Sequence, residues 1–280
     1  MIKIFRDQND YVIQNSQTII RVSDFSFDQL FQSDDPAAYA NQFFDSASNA
    51  EIDDTIILQH PWLAPVQNQE VWAAGVTYFR SRSARMEESE QSGGDRFYDM
   101  VYEAERPELF FKATAERSRG NQANVCIRKD SKWDVPEPEL TLAINQHGKI
   151  FGYTIGNDMS SRSIEGDNPL YLPQAKVYRG SCAIGPCLTI GEDIVNKETE
   201  IKIEIQRGDA VVFSGSTTVS QIKRGFEELA EFLFRDNEFP NGTYLMTGTG
   251  VVPDSDFTLQ SNDQIQISIN GLGTLTNTVE

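Results

Sequence analysis

The stretch from Pro136 to Asp158, PEPELTLAINQHGKIFGYTIGND, constrains the fold of this chain more than any other segment. Beyond Pro138, polar and apolar residues alternate as far as Ile144, and this period of two predicts a half-buried strand. A second strand-like run, IFGYTIG, follows after a short polar break. A two-residue turn at His147-Gly148 would join the two runs into an antiparallel hairpin.

The hairpin brings three carboxylates to one end. Counting outward from the predicted turn places Glu137 opposite Asp158 and Glu139 opposite Gly156, and opposed residues share a face. Glu137 and Glu139 share that face because side chains alternate along a strand. A register slip of one residue would instead turn Asp158 to the other face.

Two interpretations of the three carboxylates stay open at this point. No Lys or Arg lies between Trp133 and Ile144, so the first strand of the hairpin supplies no local cation against three like charges. Oxygen-only ligands favour a hard divalent cation, Mg²⁺, Mn²⁺ or Ca²⁺, over zinc. The alternative is an exposed acidic strand end, which is common in a chain this acidic.

Composition narrows the class of protein. A net charge of −18 and a pI near 4.5 argue against nucleic acid or an anionic membrane as partner. The chain has no apolar run of about 18 residues, and its start lacks the apolar region of a signal peptide. Its three cysteines, without a CxxC pair, are typical of reduced, buried thiols in a cytoplasmic protein.

The order of patterns predicts two domains in an α+β, mainly β protein. Residues 1–65 form a small N-terminal α+β domain with short strand patterns such as IKIF and YVIQ, and residues 60–65 form a linker. Residues 66–280 form the catalytic domain, in which strand patterns dominate. FEELAEFLF has apolar residues at helical spacing and predicts a helix.

The catalytic inventory excludes the common nucleophilic mechanisms. The chain has two histidines, His60 in the predicted linker and His147 in the predicted turn, so a Ser-His-Asp or Cys-His mechanism is not expected. A metal with a lysine base is the simplest remaining set. Lys176 lies in a Gly-, Pro- and Ser-rich loop that could fold over the metal and is the candidate base.

Two further charged pairs stand out. Glu108 and Lys112 share one face of the strand pattern RPELFFKAT among aromatic residues, where charges are costly to bury unless they are used or paired. Arg82 and Arg85 share a face of a short predicted helix. A solvated helix face, paired with nearby glutamates, is the alternative interpretation of these arginines.

Seven segments in order, from Val71 to the C-terminus, resemble the fumarylacetoacetate hydrolase superfamily. They are GVTYFRSRSARMEES, PELFFKAT, PEPE, GNDMSSR, QAKVYRGSCAIGP, LMTGTG and NGLGTLTN. The resemblance implies a mixed β-roll, a homodimer or homotetramer, and a divalent metal, usually Mg²⁺, on the three carboxylates reached from the hairpin. It also implies a catalytic lysine at Lys176 and a ligand-binding threonine at Thr249.

One departure from the family indicates the reaction. Hydrolases of the superfamily carry a histidine near the position of Ser81, where it activates water for C–C cleavage, and this chain has none there. The form of the segments resembles the branch that dehydrates 2-keto-3-deoxy sugar acids in pentose catabolism. For a 2-keto-3-deoxypentonate the product would be 2-oxoglutarate semialdehyde.

The resemblance also suggests a role for each candidate residue. In this hypothesis Lys176 removes a C3 proton and Glu108 protonates the departing C4 hydroxyl. Arg82, Arg85 and Thr249 would bind the substrate's carboxylate and distal hydroxyls, and Lys112 would be a structural partner of Glu108.

Two other functions stay open from the sequence. An acylpyruvate-type hydrolase or an oxaloacetate decarboxylase would share the metal site but break a C–C bond. A non-catalytic module that binds small carboxylates would keep the metal and have no need of Lys176 and Glu108.

Overall fold

Most of the regular secondary structure is β-strand, as the strand-like sequence patterns predict. The computed structural model describes residues 1–45, 50–51, 57, 60–79 and 100–280. Among these residues, no helix combines the length and the apolar character that a bilayer span requires.

The strands are, in chain order, β1 (Ile2–Arg6), β2 (Tyr11–Gln14), β3 (Ile19–Val22), β4 (Ala50–Glu51), β5 (Glu70–Gly75), β6 (Glu108–Ala113), β7 (Ser118–Arg119), β8 (Asn124–Val125), β9 (Asp134–Val135), β10 (Pro138–Ile144), β11 (Ile150–Asp158), β12 (Ser160–Ser161), β13 (Cys182–Ile190), β14 (Glu200–Arg207), β15 (Ala210–Thr218), β16 (Thr243–Met246), β17 (Gln264–Ile269) and β18 (Gly273–Val279). The α-helices that lie wholly within the described residues are α1 (Phe27–Gln32), α2 (Pro36–Asn41), α3 (Arg162–Asp167), α4 (Leu172–Lys176) and α5 (Phe226–Phe234).

Two main sheets organise these strands. The larger runs in the order β4-β3-β2-β1-β13-β11-β10-β16-β5-β6, with β7 beside β13, and the smaller runs β15-β14-β17-β18-β8. Most neighbours are antiparallel, but β16 pairs with β5 in parallel, so the larger sheet is mixed. β9 and β12 form a short separate pair. The α+β, mainly β class and the mixed sheet are confirmed.

The N-terminal strands extend the larger sheet, because β1 pairs with β13 and places Ile2 opposite Ile190. The segment predicted as a linker is packed: Trp62 is fully buried, and its ring centroid lies 5.0 Å from that of Phe5. The N–H of Leu63 donates to the carbonyl of Arg6 at 2.9 Å. A domain boundary at residue 65 stays a prediction.

The predicted hairpin is the centre of the larger sheet. Glu139 lies opposite Gly156, and the N–H of Asp158 donates to the carbonyl of Glu137 at 2.9 Å, so the predicted register is confirmed. Strand β10 is buried along its whole length, and the prediction of a half-buried strand is therefore wrong. The reason is that this sheet has an apolar core on each face, one with the N-terminal elements and one with the smaller sheet.

The turn of the hairpin differs from the two-residue turn predicted. Ala143 lies opposite Gly152 but Ile144 lies opposite Ile150, so the pairing shifts by one residue next to the turn. In the turn, the N–H of Gly148 donates to the carbonyl of Asn145 at 3.0 Å. The side-chain oxygen of Asn145 also accepts from the N–H groups of His147 and Lys149. A bulge beside the turn absorbs the shift, so the outer register is kept.

The helices follow local signals. Pro36 begins α2, in the first-turn position where its missing N–H costs no hydrogen bond. Asp35 caps this helix by accepting from the N–H of Ala38 at 2.9 Å. The predicted helix FEELAEFLF is α5, and its stripe of Leu229, Ala230 and Leu233 is buried.

Replacing Gly156 with alanine is expected to destabilise the hairpin. A Cβ at this position would lie 2.5 Å from Oγ1 of Thr141 and 2.9 Å from Cε of Met246, so the packed core would have to shift. We expect Gly156→Ala to lower the free energy of unfolding in urea by about 1 to 3 kcal/mol. Val211→Ala, on a half-exposed side chain of β15, is the control and should change it by less than about 0.5 kcal/mol. Equal effects would contradict the packing argument.

Candidate active site

Three buried carboxylates converge where β10 and β11 end. Glu137 directly precedes β10, Glu139 is on it, and Asp158 is the last residue of β11. Each is at most 3% exposed, and one oxygen from each lies within 4.8 Å of the others. The predicted convergence is confirmed, and the alternative of an exposed acidic strand end is excluded.

Glu139 is the member of this carboxylate triad with the least charge compensation. Burial, reinforced by the charges of Asp158 and Glu137, raises the pKa of Glu139 well above its usual value. Its Oε2 accepts the N–H of Gly248 at 2.6 Å. Gly248 has a φ of +91°, and a Cβ there would lie 2.0 Å from Oγ1 of Thr77, so only glycine fits where this N–H reaches the carboxylate.

Lys112 compensates Asp158 and is fully buried. Its ammonium forms an ion pair with Oδ1 of Asp158 and donates to the carbonyls of Met159 at 3.0 Å and Lys176 at 2.5 Å. The expectation that Lys112 is a partner of Glu108 is wrong, since its ion pair is with Asp158. Burial alone would raise the pKa of Asp158, but the charges of Lys112 and Lys176 offset it and hold the pKa below its usual value.

Lys176, the last residue of α4, contacts two members of the triad. Its fully buried ammonium donates to Oε2 of Glu137 at 2.5 Å, to Oδ2 of Asp158 at 3.2 Å and to Oγ of Ser160 at 2.5 Å. The loop that carries Lys176 therefore folds over the carboxylates, as the sequence predicts. The structure thus places a primary amine directly beside the candidate metal ligands.

A third cation completes the charge balance. Arg162, the first residue of α3, is 3% exposed, and its Nη2 donates to Oε1 of Glu137 at 2.6 Å. Three carboxylates thus face Lys112, Lys176 and Arg162. Buried charges are tolerated when they are paired in this way.

The three carboxylates, Lys176 and Arg162 line a small cavity of about 20 Å³. Thr249 lines it beside Gly248, and its hydroxyl donates to the carbonyl of Val251 at 3.0 Å. Gly75 and Phe110 form another part of the wall. This volume holds one ion or one water molecule.

The triad fits a divalent cation. Carboxylates offer only acceptor oxygens, which hard cations prefer. Oxygens that share one ion at about 2.1 to 2.5 Å lie at most about 4 to 5 Å apart, which matches the 4.8 Å limit of the triad. Glu137, Glu139 and Asp158 are therefore the residues that could hold the ion.

Glu108, the predicted proton donor, lies beside this cavity. It begins β6 opposite Gly75, which lines the cavity, and its carboxylate lies against Gly75, where a Cβ would be 1.9 Å from Oε2. Arg82 and Arg85, predicted to bind substrate, lie outside the described residues.

The two histidines and Arg179 pair with carboxylates outside the triad. His147 is 57% exposed and 3.1 Å from Asp34, and His60 is 3.1 Å from Asp7, so both histidines contact surface carboxylates. Arg179, three residues after Lys176, pairs with Glu280 at 2.8 Å on the surface.

The sequence does not predict four groups that form hydrogen bonds or ion pairs with the carboxylates or with Lys176. They are Ser160, the N–H of Gly248, Arg162 as a partner of Glu137, and Lys112 as a partner of Asp158. Burying three carboxylates requires counter-charges, so the two lysines and one arginine of the neighbouring patterns were available signals. No local spacing indicates which carboxylate each cation would meet.

Comparisons with known proteins show what this chain is similar to. A family model described as fumarylacetoacetate (FAA) hydrolase C-terminal matches residues 87–280. The chain is 47% identical over 229 residues to the "Probable 2-keto-3-deoxyxylonate dehydratase" of Haloferax volcanii, covering 81% of this chain and 78% of that protein. It is 43% identical over 213 residues to the "2-dehydro-3-deoxy-D-arabinonate dehydratase" of Saccharolobus solfataricus, covering 75% and 72%.

A solved structure with the same fold carries a ligand. It is named "2-keto-3-deoxy-D-arabinonate dehydratase complexed with magnesium and 2,5-dioxopentanoate" and superposes with a TM-score of 0.83 at 32% identity. The superposition covers 100% of this chain and 98% of that one.

Glu139→Gln is expected to abolish tight Mg²⁺ binding, because the amide keeps the shape of the side chain but loses the charge. Calorimetric titration should show that the affinity for Mg²⁺ falls by more than about 10- to 100-fold. That range is typical of mutating a group that only hydrogen-bonds to a metal ligand. Asp134→Asn is the matched control, since Asp134 is also a buried carboxylate, 2% exposed, but lies outside the triad. Unchanged binding in Glu139→Gln would remove Glu139 from the ligand set.

Proposed function

This chain belongs to the fumarylacetoacetate hydrolase family, and on that basis we propose that it is a magnesium-dependent dehydratase of 2-keto-3-deoxypentonates. The reaction removes water and releases 2-oxoglutarate semialdehyde, which is 2,5-dioxopentanoate. The relatives at 47% and 43% identity are both named as dehydratases of such acids. The observation that carries the assignment is the amine of Lys176, buried against two carboxylates of an oxygen-only metal site.

Glu137, Glu139 and Asp158 would hold the ion, and Mg²⁺ is the ion named with the related structure. Mn²⁺ and Ca²⁺ suit the same oxygen ligands. When bound, the ion supplies Lewis acidity that polarises the 2-keto group of the substrate and so acidifies its C3 protons.

Lys176 is the proposed base. Its nitrogen takes one C3 proton. It is placed for this role because it contacts two members of the triad, Glu137 at 2.5 Å and Asp158 at 3.2 Å, and lines the cavity. Lys112 is a weaker candidate, since among the described residues Lys176 lines the cavity and Lys112 does not, its ammonium being directed to Asp158 and two main-chain carbonyls. Lys112 and Arg162 therefore remain as fixed cations that balance the carboxylates.

Glu108 is the proposed acid. It would protonate the C4 hydroxyl as the C4–O bond breaks, so that water leaves and a C3=C4 double bond forms. Its place against Gly75, at the wall of the cavity, supports this role.

The product requires further proton transfers after water has left. Elimination gives 5-hydroxy-2-oxopent-3-enoate, in which C5 is still an alcohol. Loss of a C5 proton and protonation at C3 give the enol of an aldehyde, and protonation at C4 completes 2-oxoglutarate semialdehyde. Two carbon-bound protons of the product thus come from exchangeable groups, at C3 and at C4.

Substrate recognition completes the proposal. Thr249, in the wall of the cavity, would bind the substrate beside the ion. Arg82 and Arg85 are proposed to bind its carboxylate or distal hydroxyls. A cytoplasmic location and a homodimeric or homotetrameric assembly also remain proposals, supported by three free, buried cysteines and by the family resemblance respectively.

The proposed reaction is tested by product analysis. Purified protein with Mg²⁺ and 2-keto-3-deoxy-D-xylonate should form 2-oxoglutarate semialdehyde, and EDTA should stop the reaction. In D₂O, mass spectrometry and NMR should find deuterium at C3 and C4 of the product. The L-pentonate analogue tests stereochemistry, and an acylpyruvate tests the hydrolase alternative. Cleavage of the acylpyruvate with no loss of water from the pentonate would overturn the proposal.

Lys176→Met should separate catalysis from metal binding. We expect turnover to fall by at least about 10³-fold, because the base is lost. Mg²⁺ binding should persist and tighten, since the triad remains while a cation beside Glu137 and Asp158 is removed. Lys149→Met, at the hairpin turn, is the control and should change neither quantity. Retained turnover in Lys176→Met would remove this lysine as the base.

A further inference from the structure

Ser160 lies between a metal-ligating strand and the proposed base. It is fully buried in β12, and its Oγ is 2.5 Å from Nζ of Lys176 and 3.1 Å from the carbonyl oxygen of Asp158. We propose that Ser160 is a positioning residue whose hydroxyl orients the amine of Lys176 for removal of the C3 proton. This inference rests on the proposed dehydratase function.

The direction of the two hydrogen bonds gives the hydroxyl a defined role. A serine has one hydroxyl proton, and Ser160 donates it to the carbonyl of Asp158. Its oxygen therefore accepts an N–H of Lys176 and has no proton to offer to the amine. The hydroxyl holds the nitrogen without blocking the lone pair that must take up the C3 proton.

Ser160 differs in kind from the other two acceptors of Lys176. These are Oε2 of Glu137 and Oδ2 of Asp158, and both carboxylates belong to the set that could hold the ion. An ion on the triad competes with the amine for those oxygens. The hydroxyl of Ser160 lies outside the ligand set, so it can hold the nitrogen while the carboxylates hold the ion.

The other end of Lys176 is held as well. Lys112 donates to the carbonyl of Lys176 at 2.5 Å, and the N–H of Val177 donates to the carbonyl of Pro173 at 2.9 Å, which closes the end of α4. The nitrogen of Lys176 lies 5.7 Å from the ring centroid of Phe110. With its main chain fixed and its nitrogen held by Ser160, the side chain has little freedom to leave the cavity that it lines.

The neighbouring residue provides a matched control. Ser161 is also in β12 and also fully buried, but within the described part of the structure its Oγ has no hydrogen-bond partner. Replacing either serine with alanine removes one buried oxygen from the same strand. Only the change at Ser160 removes a contact with Lys176.

The test compares Ser160→Ala with Ser161→Ala in the full chain. Each variant is assayed for kcat and KM with Mg²⁺ and 2-keto-3-deoxy-D-xylonate, and for the stoichiometry and Kd of Mg²⁺ by calorimetry. For Ser160→Ala we expect kcat to fall by about 10- to 100-fold, which is typical of mutating a residue that orients a functional group by a hydrogen bond. Its KM, Mg²⁺ stoichiometry and Mg²⁺ Kd should stay within about threefold of wild type, and Ser161→Ala should keep kcat within about twofold.

An isotope effect identifies the step that is slowed. With the 3,3-dideuterated substrate, the isotope effect on kcat in Ser160→Ala should be at least as large as in wild type, because proton removal is the step made slower. A smaller isotope effect, equal kcat in the two variants, or a fall in Mg²⁺ stoichiometry that accounts for the lost activity would each overturn the role of Ser160. Wild-type protein that binds Mg²⁺ but forms no product would instead refute the proposed function, and this role with it.

Discussion

The burial of three carboxylates at the centre of the larger sheet is the constraint on which the rest of the site depends. Charges in a protein interior must be paired, and the hairpin that carries Glu137, Glu139 and Asp158 has its one lysine, Lys149, at the turn, at the opposite end from the carboxylates. The counter-charges come from three separate elements: Lys112 of β6, Arg162 of α3 and Lys176 of α4. Charge compensation therefore fixes the loop after β11 and the strand β6 around one point.

The polar face of β10 explains both the success and the error of the sequence prediction. Glu139 and Thr141 alternate with leucines, and a period of two indicates a strand with one face in water. The alternation correctly gave the register, which depends on side-chain parity. It gave the wrong burial because the polar face also lies inside the protein: Glu139 borders the buried site, and Thr141 is fully buried where the core packs against this face. Sequence alternation distinguishes polar from apolar faces, but it does not distinguish solvent from a buried active site.

Local patterns predicted the hairpin, strands such as β1, β2 and β6, and α5, but they could not predict contacts between distant segments. The pairing of Lys112 with Asp158 requires β6 and the end of β11 to meet across the fold, although alternation along β6 made Glu108 the nearer partner. The bulge beside Asn145 likewise depends on the hydrogen bonds of one side-chain oxygen. A prediction from local sequence is expected to name the wrong partner wherever a residue pairs with a distant segment and not with its neighbours along the strand.

The same geometry bears on the choice between dehydration and hydrolysis. Hydrolysis of a C–C bond needs a group that activates water, whereas dehydration needs a base that reaches a carbon-bound proton and an acid for the departing hydroxyl. The amine of Lys176 is buried, held by acceptors on neighbouring segments and directly beside the carboxylates that could hold the ion. A buried amine with fixed orientation suits removal of a proton from carbon, where direction matters more than access to solvent.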